Sequence, residues 1–86
     1  MAERREGGGE RVTFEITVAV TIESGITLKP GLYVGKRGRS WLGPQYYVEL
    51  TVEELTALGG AAAPGVEKVE YDVTSGVRSG KIEVFG

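Results

Sequence analysis

The stretch RVTFEITVAVTIE at residues 11–23 decides the fold. Val12, Phe14, Ile16, Val18, Val20 and Ile22 alternate with Thr13, Glu15, Thr17, Ala19, Thr21 and Glu23. Successive side chains of a strand point to opposite faces, so an unbroken period of two puts all six apolar residues on one face. Most of them are β-branched or aromatic, the types that fit a pleated surface. The alternation predicts one long strand over 12–23, with Phe14, Ile16, Val18, Val20 and Ile22 buried and Glu15 exposed. At about 3.3 Å per residue it would run close to ~40 Å. That is more than a small sheet uses, so the strand is expected to bend and serve two parts of a barrel or two packed sheets.

The elements that follow are shorter. Ser24-Gly25 ends the long strand, and Lys29-Pro30-Gly31-Leu32 suits a type II turn. Leu32 to Arg37 and Gln45 to Leu50 read as two paired strands. Placing Val34 against Val48 sets Leu32 against Leu50 and Lys36 against Tyr46. The outer face then carries Tyr33, Gly35, Arg37, Gln45, Tyr47 and Glu49, and Gly38 to Pro44 form the tip. Thr51-Val52-Glu53-Glu54 is a capping box, which predicts a helix over 52–58 with Val52, Leu55 and Leu58 on one face. Gly59-Gly60 stops it. Val66 to Thr74 and Val77 to Phe85 read as a terminal hairpin around Ser75-Gly76, with Glu70 opposite Lys81, Lys68 opposite Glu83, Val69 opposite Ile82 and Tyr71 opposite Gly80.

The order is therefore β-β-β-α-β-β, mostly β, with one short helix before the last hairpin. In 86 residues this suggests a small five-stranded barrel, SH3-like or OB-like, with an open sheet packed by the helix as the competing arrangement. Residues 1–10 are charged and Gly-rich without periodicity and are expected to be a disordered tail. Residues 11–86 form the one domain.

Composition narrows the chemistry. The sequence has no Cys and no His. It therefore lacks the thiolate nucleophile, the commonest metal ligand and the side chain best suited to proton transfer near neutral pH. No metal or other cofactor is expected. No stretch reaches the roughly 18 apolar residues of a membrane span, and the first residues lack the apolar core of a secretion signal. A cytoplasmic location without membrane contact is expected. Net charge is −2, yet residues 24–48 hold Lys29, Lys36, Arg37 and Arg39 and no acid.

That basic stretch also contains Trp41, the only tryptophan, and three of the four tyrosines. Tyr33, Lys36, Arg37, Arg39, Trp41 and Tyr47 are the candidate partner-binding residues. Trp, Tyr and Arg are enriched at protein hot spots, and cations beside aromatics also suit single-stranded nucleic acid. The competing expectation is that Trp41 folds back and plugs the barrel end. Gly31 to Arg37 echo a phosphate loop, but the spacing is wrong and no Ser or Thr follows the lysine. Glu67, Glu70 and Asp72 alternate across a strand and read as solvated charges rather than a cation site. A His-free ribonuclease-like activity would need Arg37, Arg39 and Ser40, and no base stands near Ser40 in sequence. The expectation is a non-enzymatic module for a protein partner, with a single-stranded nucleic-acid binder using residues 36–47 as the alternative.

Overall fold

The structure is a computed structural model that describes residues 9–86. Seven strands and two short helices follow in chain order. They are β1 (Glu10–Ile16), β2 (Val20–Thr21), β3 (Thr27–Leu28), β4 (Gly31–Ser40), β5 (Gly43–Thr51), α1 (Val52–Ala57), β6 (Lys68–Asp72), α2 (Thr74–Arg78) and β7 (Ile82–Phe85). Five strands make one antiparallel sheet in the order β6-β5-β4-β1-β7, and β2 with β3 forms a separate ribbon. The chain is mostly β, as its alternation implies. The sheet does not close into a barrel, because β6 and β7 are its two edges. The open arrangement is the one found.

Alternation holds through β1, where Val12, Phe14 and Ile16 are buried. It does not extend as one strand to Glu23. The chain leaves the sheet at residues 17–19, and Val18 is 73% exposed rather than buried. Val20 on β2, Ile22 just after it and Leu28 on β3 return to the core. The three residues between the strands leave Ile16 and Val20 four apart, an even step that keeps the parity of the pattern, so the same spacing fits one strand or two. Glu15 lies half-buried on the open face of the sheet. The tail expected over residues 1–10 lies mostly outside the described residues, and Glu10 already pairs with Arg37 in β1.

Directly opposed residues of an antiparallel pair share a face. One face of the sheet therefore carries Phe14, Ile16, Val48, Leu50 and Ile82, which meet the ribbon, Leu55 of α1 and Val73 in a single buried cluster. The opposite face has no layer over it among the described residues. It presents Thr13, Glu15, Leu32, Val34, Tyr47, Glu49 and Phe85, which the register places on one side.

The β4–β5 register differs from the expected one by a single residue. Val34 pairs with Glu49, Gly35 with Val48 and Lys36 with Tyr47. A slip of one residue moves every side chain to the other face. Gly35 therefore points into the core and Leu32 and Val34 point out, the reverse of the sequence expectation.

The terminal hairpin is also replaced. Residues 74–78 form a helical turn rather than a strand end, and β7 crosses to pair with β1 at the far edge. Lys68 and Glu70 take other partners, at 3.3 Å each, with Glu49 and Lys36. Glu83 stands opposite Glu15 rather than Lys68. These topologies give opposite signs for Glu83→Lys. In a β6–β7 hairpin it would set two lysines against each other. In this sheet it relieves a like-charge pair and should stabilise by about 0.5 kcal/mol. Urea denaturation of the variant checks the sign.

The capping box forms as expected. Thr51 Oγ1 accepts from the Glu54 amide at 3.1 Å, and Glu54 Oε1 accepts from the Thr51 amide at 2.8 Å. Leu58 ends the helix and Gly59 follows with φ of 90°. Thr51→Ala should cost about 1 kcal/mol, read as a lower denaturation midpoint with an unchanged slope.

Candidate functional site

The β4–β5 hairpin outruns the core. β4 pairs with β1 over Gly31–Arg37 and with β5 over Val34–Ser40, so its last three residues have β5 alone beside them. Ser40 pairs with Gly43 and leaves Trp41-Leu42 as the whole turn. Ser40 Oγ ties it, donating to the Gly43 carbonyl at 3.1 Å and accepting from the Leu42 amide at 3.2 Å. Gly43 has φ of 114°, a region that side chains with a Cβ rarely enter. A tip held this tightly by Ser and Gly needs no large side chain, yet Trp41 is 91% exposed and Leu42 61% exposed. Trp41 does not fold back onto the core.

The six candidate residues do not form one surface. Tyr33, Arg37 and Arg39 share the parity of the core-side face, while Lys36 and Tyr47 pair directly with each other on the open face. Tyr33 and Tyr47 therefore lie on opposite sides of the sheet, against the expectation that they share its outer face. Trp41 stands alone at the turn.

Each position has its own electrostatics. Beyond the core, Glu10, Arg37 and Tyr46 form a row across β1, β4 and β5. Arg37 Nε donates to Glu10 Oε1 at 2.9 Å, and its Nη2 contacts the same oxygen. The Glu10 hydrogen bond and charge, with help from Tyr46, raise the Arg37 pKa above its ordinary value. Lys36 is paired with Glu70, and Lys29 Nζ reaches the Ala57 carbonyl at 3.5 Å. Arg39 has no acidic partner among the described residues. An open groove of about 830 Å³ runs under the hairpin, bounded by Glu10, Arg37, Arg39, Pro44 and Tyr46.

Comparisons of the chain with protein-family models, with curated proteins and with solved structures found no match. The site is therefore read from its own chemistry.

Tyr33 is structural. Its hydroxyl donates to the Lys29 carbonyl at 2.7 Å. Burial, reinforced by the charge of Glu54, raises the phenol pKa above the usual 10. The folded chain thus keeps a proton that an unfolded chain gives up near about pH 10. This contribution is intact below that pH and is lost as pH rises through the folded value. Wild type should lose more stability than Tyr33→Phe between about pH 9 and 11, measured by urea midpoints at both values.

Sequence reading missed two features. Arg78 of α2 reaches the hairpin, with Nη2 3.8 Å from where a Cβ on Gly43 would stand. A second cleft of about 240 Å³ lies between the β2–β3 ribbon and α2, and Ser75 Oγ donates there to Glu23 Oε2 at 2.9 Å. Those residues are 52 apart in sequence, so no local spacing announces them. No group of three or more acidic residues arranged to hold a metal ion occurs among the described residues. No helix among them is long and apolar enough to cross a membrane.

Proposed function

We propose that this chain is a non-enzymatic binding module whose β4–β5 hairpin tip takes a protein partner. The observation that carries the reading is a 91% exposed Trp41 beside a 61% exposed Leu42 on a two-residue turn. Arg39 lies two residues away without an acidic partner among the described residues. Aromatic and Arg anchors dominate protein hot spots. Lys36, Arg37, Tyr33 and Tyr47 are supporting residues of the hairpin rather than contacts of one surface. The strand order supports an SH3-like reading of the fold. β1, β4, β5 and β6 follow one another across the sheet, and a single helical turn precedes the last strand, which returns to β1. A cytoplasmic location remains part of the proposal.

Single-stranded nucleic acid is the second reading, and the ion pairs weigh against it. Of the four cations in residues 24–48, Arg37 and Lys36 are engaged by Glu10 and Glu70. That leaves little charge to neutralise phosphates.

A photo-crosslinking side chain at Leu42 in host cells tests the proposal. One crosslinked protein is expected, and Trp41→Ala should abolish it. Crosslinking that does not depend on Trp41 overturns the reading. Quenching of Trp41 fluorescence by an oligonucleotide, lost steeply with added salt, would instead establish the nucleic-acid alternative.

A further inference from the structure

Among the described residues, the large exposed apolar side chains fall into two groups and two singletons. Trp41 and Leu42 form the hairpin tip, Leu32, Val34 and Phe85 lie on the open face of the sheet, and Val18 and Val66 are isolated. On the open face Phe85 and Val34 flank Thr13 directly across three strands, and Leu32 stands one pleat along, opposite Glu15. Leu32 is 71% exposed. A small sheet with one covered face ordinarily turns polar residues outward, so this strip is not explained by the fold.

The hairpin tip and the Leu32 end of the strip carry opposite charge, while the far end of the strip meets Arg11 and Lys36, which pair with Glu49 and Glu70. Glu15 and Glu83 oppose each other on β1 and β7, beside Leu32. Neither has a cation within ion-pair distance among the described residues, although Glu49 and Glu70 on the same face are both paired. Two like charges directly opposed on a sheet repel. The tip offers the converse, with Arg39 next to the turn and Arg78 reaching up under Gly43. An aromatic anchor with a basic collar fits an apolar strip with an acidic end at Glu15 and Glu83.

We propose that the tip of one copy docks on the open face of a second copy of this chain. The inference rests on the tip reading above and names its partner. One molecule cannot satisfy itself. Leu32 and Arg39 both lie on β4, seven residues and about 23 Å apart along an extended strand. The contact is heterologous, so copies join head to tail into a ring or a short filament. Trp41, Leu42 and their neighbours offer less than the roughly 800 Å² per partner of a standard interface. Association is therefore weak, with a dissociation constant in about the micromolar range or above.

Sedimentation velocity over a dilution series, with Trp41 fluorescence read in parallel, tests this. The expected result is concentration-dependent growth accompanied by a blue shift of the single tryptophan. Arg39→Glu should weaken association about tenfold, and adding Glu15→Arg and Glu83→Arg to the same chain should restore it. Trp41→Ser and the double variant Leu32→Ser/Phe85→Ser should each sediment as monomers. Mixed together, they should form a pair that grows no further. The substituted side chains are exposed except Glu15, which is half-buried on the open face, and a circular dichroism spectrum confirms the fold. A wild-type monomer at about 1 mM overturns the proposal, as does self-association that survives Trp41→Ser. If the chain is monomeric while Leu42 crosslinks a different protein, the tip reading stands and self-docking fails. If it is monomeric and no Trp41-dependent crosslink forms, both fail.

Discussion

Phe14→Ala is expected to destabilise the domain by about 3–5 kcal/mol. Phe14 is 1% exposed and stands where three strands meet, paired with Tyr33 on β4 and with Val84 on β7. Its ring meets Tyr46 edge-on, with centroids 6.4 Å apart and planes at 79°. Such an arrangement adds about 0.5–1.5 kcal/mol beyond simple burial. The cavity left by alanine lies under the sheet centre, with strands on both sides, so the surroundings can collapse only partly. A chain of 86 residues has a total stability of about 4–13 kcal/mol. The loss is therefore comparable to the whole, and the melting temperature should fall by about 15–30 °C. Val34→Ala is the control. It lies near Phe14 but on the open face, half-exposed, and should change stability by less than about 0.5 kcal/mol. A Phe14→Ala variant within 1 kcal/mol of wild type, on the order of an ordinary surface change, would mean that the covered face has been assigned to the wrong side of the sheet.

Local signals in the sequence proved legible and long-range ones did not. The capping box needs four consecutive residues, and Thr51 to Glu54 make both of its hydrogen bonds. The alternation of Val12, Phe14 and Ile16 reports burial because each residue meets the same layer. Beyond Ile16 the pattern keeps its parity while the chain leaves the sheet, and nothing in the spacing marks the exit. The final hairpin failed for a different reason. Lys68 and Glu70 suit Glu83 and Lys81 as well as they suit Glu49 and Lys36, so charge complementarity does not choose a strand partner. Ser75-Gly76 reads as a turn, but these residues sit in a single helical turn. There Thr74 Oγ1 accepts from the Tyr46 amide at 2.9 Å, and Asp72 Oδ1 accepts from the Thr74 amide at 2.8 Å.

The candidate site was legible in composition and illegible in geometry. The concentration of cations and aromatics in residues 24–48 located the hairpin, and Trp41 is exposed at its tip. The assumed register chose to bury Leu32 and Val34, which is what hydrophobic patterning favours. The structure exposes them instead. The departure from patterning coincides with the open face on which the second copy is proposed to dock.

Gly35→Ala is expected to cost about 3 kcal/mol, and its cause lies in contact rather than conformation. Gly35 is buried midway along β4, among the residues that pair with β1 on one side and β5 on the other. A Cβ there would stand 2.0 Å from the Tyr47 carbonyl oxygen and 2.5 Å from Phe14 Cε2. A glycine inside a strand often marks such a close backbone approach. The aromatic ring can be moved or shortened, but the carbonyl belongs to the neighbouring strand and moves only if β4 and β5 separate. Relief by Phe14→Leu should therefore be small. In a double-mutant cycle, Gly35→Ala should still cost more than about 2 kcal/mol in the Phe14→Leu background, with a coupling below about 1 kcal/mol. Urea denaturation of the four proteins measures the cycle. A coupling that cancels most of the cost would assign the obstruction to the ring. A neutral Gly35→Ala would remove the close approach of β4 to β5, and with it the register that turns Leu32 and Val34 outward.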